Sequence, residues 1–313
     1  MSRDQYEEMR PMLEYWMLMV PTLCFLDVCS VGHIKDYLAT GAFKDEKHEA
    51  SILNLKRYDM AQHGVSYLPA LMEKASDQRS KFDENNFVIE AKGDWEALRK
   101  FFDSARIVEP QEFIESYARE VFGVHPEIKI PDYLKFLEFA NSLRLHDNIK
   151  GSSKRLGVLD MLCEKADELD ISRRHPVVIT TAATLFGCEA AKHVMKFCGN
   201  PNNFNAGNAL GDIQLVQRVK GTLTKAIEQE EARGGRFKKG EFITADSGLQ
   251  KLFQYFKVQV LDEHVGEDGV AQEFHVEPVQ CYLFVDLFDE NLKPKGGKAG
   301  KALEQVRKML LLA

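Results

Sequence analysis

The sequence predicts an α/β protein with a central, mostly parallel sheet. Two short apolar runs rich in strand formers, Thr22-Leu-Cys-Phe-Leu-Asp27 and Glu241-Phe-Ile-Thr-Ala-Asp246, each finish on an acid, the pattern of buried parallel strands with polar C-terminal ends. Such runs alternate with helical periodicities, which points to an open α/β sheet. The 313 residues, 44% of them apolar, can bury a sizeable core.

In order along the chain, residues 1–20 are predicted helical, with Met9, Met12, Leu13, Trp16 and Met17 at helical spacing and Pro21 ending the pattern. After the first strand, Val28 to Leu38 reads as a loop and the start of a helix. Tyr67-Leu-Pro-Ala-Leu-Met-Glu73 is helical, with Pro69 in a first turn where a missing N–H costs little. From Ser76 to His175 the pattern is that of a helical insertion. Trp95, Leu98, Phe101 and Phe102 mark one face, Tyr133, Leu134, Leu137 and Phe139 a second, and Val158, Leu159 and Leu162 a third. Inside it, Gly151-Ser-Ser-Lys154 reads as a linker. Pro176-Val-Val-Ile-Thr-Thr fits a strand or a helix start. Asn208 to Ala232 is the clearest helix, with Leu210, Ile213, Val216, Val219, Leu223 and Ile227 on one face and Gly234-Gly235 stopping it. Beyond the Glu241–Asp246 run, Lys257–Leu261 and Gln280–Leu287 complete the set of strands. Lys293 to Lys301 reads as a flexible basic linker before a last helix containing Leu303, Val306 and Leu310.

Composition removes several classes of function. No run reaches the ~18 uninterrupted apolar residues of a membrane span, so no membrane partner is expected. The N-terminus lacks the basic flank and apolar core of a secretory signal, and the six cysteines form no Cys-x-x-Cys pair; a reducing cytoplasm is the expected compartment. A formal charge of −7 argues against a protein that coats nucleic acid by bulk charge. The nine histidines form no His-x-x-x-His pair, and neither a Gly-x-x-x-x-Gly-Lys loop nor a Gly-x-Ser-x-Gly elbow is present.

What remains is a set of acids. In an open parallel sheet the ligand site lies beyond the carboxyl ends of the strands. Asp27 and Asp246 end strands, and Asp212 lies near the start of the strongest helix. Carboxylates gathered without cationic partners repel one another until a divalent ion arrives, so the expected cofactor is Mg2+ or Mn2+. Such an ion lowers the pKa of bound water and supports phosphodiester hydrolysis without a side-chain nucleophile. Arg236, Lys238 and Lys239, with Arg79 and Lys81, are candidates to grip substrate phosphates, and the aromatic in Arg236-Phe-Lys-Lys239 is a candidate to stack on a base.

Phe25-Leu-Asp27-Val-Cys-Ser resembles the opening strand and first acid of the PIN-domain ribonucleases. Ser66-Tyr-Leu-Pro-Ala-Leu-Met-Glu73 is similar to that family's second-acid helix, Asn208-Ala-Leu-Gly-Asp212-Ile to its third-acid segment, and Ile243-Thr-Ala-Asp246-Ser-Gly-Leu to its Thr-x-Asp strand end. The resemblance covers roughly residues 20–75 and 176–262. It implies a three-layer α/β/α fold with a core over 20–75 plus 176–290, a large helical insertion over 76–175, and a basic linker with C-terminal helix over 291–313. It also implies Asp27, Glu73, Asp212 and Asp246 as catalytic metal ligands, with Asn208 and Thr244 orienting them. Cys29 stands where the family commonly has a polar residue, and Ser30 is its substitute; Glu189 is the rival of Glu73. The implied activity is that of a metal-dependent RNA endonuclease, of a kind that includes bacterial toxins, RNA-processing enzymes and defence factors, with an inhibitor or partner protein as a second expected partner.

Two other readings are open. A non-catalytic protein-interaction module on the same fold fits the acidic surface and Cys29. A haloacid-dehalogenase-like phosphatase fits Cys24-Phe-Leu-Asp27 as a strand delivering a nucleophilic aspartate, but Cys29 occupies the place of its second aspartate.

Overall fold

The computed structural model describes residues 3–76, 83–122, 129–266 and 269–312. In chain order the elements are α1 (Arg3–Met19), β1 (Thr22–Leu26), α2 (Val28–Thr40), α3 (Glu46–Arg57), β2 (Gly64–Ser66), α4 (Leu68–Ser76), α5 (Glu84–Phe101), β3 (Arg106–Ile107), α6 (Gln111–Val121), α7 (Ile130–Ser142) and α8 (Ser152–Glu168). They continue with α9 (Pro176–Leu185), α10 (Glu189–Met195), α11 (Ala206–Ala232), β4 (Lys239–Ile243), α12 (Ser247–Gln254), β5 (Phe256–Gly266), β6 (Gly269–Pro278), α13 (Gln280–Leu283) and α14 (Gly297–Met309). The protein is mixed α/β, and the chain forms two compact units. One contains Met1–His125 and Thr222–Asp246, the other Pro126–Gly221 and Ser247–Ala313. Residues 76–125 thus belong with the first unit and 126–175 with the second.

The first unit holds a four-stranded sheet in the order β3-β2-β1-β4, every neighbouring pair parallel. All five residues of β1 are buried, as expected of a central strand. Alternation sends Cys24 and Leu26 to one face, where with Val65, Ile107 and Ile243 they join a core supplied by Ile34, Ile52, Leu71, Phe87, Leu98 and Ile114 of helices α2 to α6. Leu23 and Phe25 point the other way, in register with Gly240 and Phe242 of β4. On that face Leu223 of α11 lies so close to Gly240 that a Cβ there would meet its side chain at 2.1 Å. With α2 to α6 on one face and the end of α11 against the other, the unit is compatible with α/β/α layering.

In the second unit α9 is the buried centre: all ten residues from Pro176 to Leu185 are buried, with α7, α8 and α10 packed around them. The ambiguous Pro176 segment is therefore a helix. Pro176 occupies the first turn, and the His175 ring accepts from Val177 N at 3.2 Å as its cap. Burial holds the His175 imidazole down at about 4, and its ring stacks on Tyr133 at 4.5 Å.

Several expectations are corrected. There is no loop after Asp27, because α2 begins at once with Asp27 as its cap. Arg106–Ile107, inside the segment read as wholly helical, is a sheet strand. Gly151-Ser-Ser-Lys154 is the start of α8, with Gly151 at φ 92° before the first turn. Lys257–Leu261 is a strand but pairs antiparallel with β6 in a hairpin of its own, outside the parallel sheet. Gln280–Leu287 is a helical turn and a 3-10 turn; its buried Leu283, Phe284 and Leu287 recur at three- and four-residue spacing, which a short apolar run does not distinguish from a strand. The basic tail is tied down as well: Lys295 donates from its backbone to Leu287 O and from Nζ to Asp286 O, both at 3.0 Å.

Candidate active site

Four parallel strands deliver their C-terminal ends to one edge of the first unit, and polar side chains collect there: Asp27 after β1, Ser66 at the end of β2, Glu109 just past β3, and Thr244 and Asp246 after β4. Asp27 is 2% exposed. Its Oδ1 accepts the backbone N–H of Ser30 at 2.7 Å, the ordinary bond of an N-cap. Its Oδ2 accepts from the Thr244 hydroxyl at 2.5 Å, a bond between the ends of adjacent strands that capping does not require. Thr244 Oγ1 in turn accepts the Asp246 N–H at 3.0 Å, and Ser30 Oγ donates to Ile243 O at 3.0 Å, fastening the first turn of α2 to the end of β4.

Glu73 comes to the same place from α4. Its Oε2 accepts from Val28 N, the first N–H of α2, at 3.2 Å. Two carboxylates therefore share the positive N-terminal end of α2. Burial pushes the Asp27 carboxyl above the usual carboxylate range and the nearby Asp246 charge adds to the shift, while the Thr244 and Ser30 bonds oppose it. Asp27, Ser30, Glu73, Thr244 and Asp246 are thus one cluster. The donors are hard oxygens of the kind magnesium and manganese take. As their side chains stand, no three His, Cys, Asp or Glu groups among the described residues converge closely enough to hold a metal ion.

Asn208 and Asp212 belong to the second unit, where Asn208 Nδ2 donates to Asp212 Oδ2 at 3.2 Å, so their four-residue spacing does make a polar pair on α11. Glu189 points to solvent and pairs with Lys192 at 2.7 Å. Arg236 and Lys238 precede β4 and Lys239 opens it, in register with Thr22 at the start of β1. This is the amino edge of the sheet, opposite the acids. There Lys239 pairs with Glu241 at 2.5 Å and Lys238 Nζ donates to Gly235 O at 3.2 Å. Phe237 cannot serve as a stacking platform, being buried over the close-packed Gly64. Arg79 and Lys81 lie outside the described residues.

Sequence reasoning missed Glu109 and the groups behind it. Glu109 is buried, accepting from Ser66 Oγ at 2.5 Å and Tyr67 N at 3.1 Å, and burial raises its carboxyl above the usual range. Asp94 on α5 is wholly inaccessible and receives Lys35, Lys74 and the Tyr67 hydroxyl. The two-residue β3 is too short for any period to announce it; the one signal was Glu109-Pro110, a helix entry directly after an apolar pair.

Among the described residues no helix is long and apolar enough to cross a membrane. Comparison with known proteins gives no assignment: no family model matches the chain, nor does any curated protein or solved structure.

Proposed function

We propose that the protein is a metal-dependent nuclease of PIN-like fold that hydrolyses phosphodiester bonds, with RNA as substrate. The observation that carries the reading is the Thr244–Asp27 hydrogen bond at the carboxyl edge of the parallel sheet, with Glu73 on the same helix end and Asp246 beside it. A cap alone accounts for Asp27 Oδ1. It does not account for a buried carboxylate, an opposing hydroxyl and two further acids at one strand end.

On this reading Asp27, Glu73 and Asp246 would hold Mg2+ or Mn2+ once their side chains turn together, and the bound ion would supply an activated water and offset charge developing on the phosphate. Thr244 keeps Asp27 turned toward the edge, and Ser30 holds the first turn of α2 against β4, doing from the next position what Cys29 does not. Asn208 and Asp212 are assigned to the reaction by the resemblance alone. The haloacid-dehalogenase reading is the weaker one, because Cys29 occupies the place of its second aspartate.

The test is cleavage of end-labelled single-stranded RNA, structured RNA and DNA with manganese, magnesium or chelator. Metal-dependent cutting of RNA is expected from the wild type, and its loss in Asp27→Asn and Asp246→Asn proteins that keep the wild-type circular dichroism. Thr244→Val is expected to cost about 10–100-fold, the scale for a residue that orients a ligand. Cutting that survives in all three variants rejects the site.

The second reading, an interaction module, rests on the acidic composition and on Cys29, which stands where the family commonly has a polar residue. It is separated cheaply. A metal site raises the unfolding temperature in millimolar manganese through binding linkage, and a module without one gives no shift.

A further inference from the structure

The helix that carries Glu73 is short, and its orientation is held by polar groups. Helix α4 has nine residues and buries Ala70 and Leu71. Apolar contacts of that kind tolerate repacking, since they are non-directional. Directional bonds grip the helix at both ends instead. Tyr67 is its cap, its carbonyl accepting from Leu71 N at 3.1 Å. The Tyr67 N–H donates to Glu109, as the cap N–H of a capping box donates to a glutamate, except that here the carboxylate comes from the end of β3. Two turns beyond the cap, Lys74 Nζ reaches Asp94 Oδ2 at 2.5 Å and Glu90 Oε1 at 2.7 Å. The Tyr67 hydroxyl donates to the same Asp94 Oδ2 at 2.7 Å.

The other oxygen of Asp94 serves the other acid-bearing helix. Lys35 of α2 reaches Asp94 Oδ1 at 2.7 Å. One inaccessible aspartate on α5 thus ties down both α2, whose cap is Asp27, and α4, which carries Glu73. Buried charges of this kind are poor stabilisers: replacing a whole cluster with apolar side chains of similar size is often neutral or favourable. What such bonds fix is rotation. Pinning Lys74 sets the direction of the preceding residue, about 100° round the helix, and that residue is Glu73, whose Oε2 meets Val28 N.

We propose that Asp94, with Tyr67, Lys74 and Glu109, is the positioning device of the site: it fixes the rotation of α4 against α2 and thereby the approach of Glu73 to Asp27. The inference rests on the nuclease reading for its purpose, but its geometry is tested without metal. The readout is the Val28 amide resonance in full-length protein labelled with 15N-valine, with the Glu73→Ala protein marking the position of that amide when the carboxylate is gone. The triple variant Tyr67→Phe, Lys74→Met, Asp94→Leu removes Asp94 and the two α4 groups that meet it, leaving Glu90 and Glu109 in place.

The expected result is a folded protein with a Val28 resonance displaced to the Glu73→Ala position and manganese affinity lower by about 10–100-fold. A folded triple variant with Val28 at its wild-type position overturns the proposal. Should the triple variant fail to fold, Asp94→Asn decides in the same way: a displaced Val28 resonance supports positioning, an unmoved one rejects it. A wild type that binds no manganese sinks the metal reading, while the Val28 resonance still decides whether Asp94 positions Glu73.

Discussion

Asp27 does two jobs that pull its proton in opposite directions. As a cap it accepts an N–H and favours ionisation; as a buried group beside Asp246 it favours protonation, and burial dominates. Its folded-state pKa therefore lies above the unfolded value of about 3.9. Between those two values the folded chain binds more protons than the unfolded one, so its contribution to stability is full below the unfolded value and is lost as pH rises through the folded one. Glu109, raised for the same reason, acts with the same sign. Asp27→Asn keeps an acceptor for Ser30 N and an amide for Thr244. It is expected to stabilise the apo protein at pH 7 by on the order of 1 kcal/mol, roughly 2–4 °C, and to flatten the fall in stability with pH. Urea unfolding midpoints from pH 4 to 8 check both. A variant less stable than wild type at neutral pH would mean that the hydrogen bonds outweigh burial.

At the level of elements, legibility followed length and context. β1 was readable because a threonine and four apolar residues stand between Pro21 and Asp27, and β4 because a similar short strand-forming run ends on Asp246. α11 was readable because its apolar spacing persists over several turns. β3 was not, because it contributes two residues and takes its place from pairing with β2. The Asp27–Thr244 pair was legible as two strand ends, whereas the Asp94 cluster was not: Lys35, Lys74 and Asp94 are ordinary helix residues and Tyr67 an ordinary cap until packing brings them together. Gly64 shows how one small residue serves a whole strand. A Cβ there would stand 2.4 Å from Phe237 Cζ and 2.9 Å from Val108 Cγ2, so Gly64→Ala must push β2 or Phe237 aside. The expected cost is about 1–3 kcal/mol, as for overpacking elsewhere. Phe237→Leu in the same chain is expected to recover part of it, and a double-mutant cycle by urea unfolding measures the coupling.

At the scale of the whole molecule, the chain leaves and re-enters each unit, so neither unit is one contiguous piece of sequence. A fragment ending at residue 125 lacks β4, and with it the partner of every residue of β1 and the hydroxyl that faces Asp27. It is expected to lack cooperative unfolding by circular dichroism; a fragment that melts cooperatively would show that β4 is dispensable. The cysteines divide along the same line. Cys24 is sealed in the central strand of the first unit, Cys163 and Cys188 are buried in the second, and Cys29 is exposed at the rim of the acidic cluster. Nature has in effect installed a reporter thiol in each core and one at the mouth of the site. Pulsed alkylation read by mass spectrometry would time the opening of each core separately, and the rate at which Cys29 alone is modified would register whatever settles over Asp27.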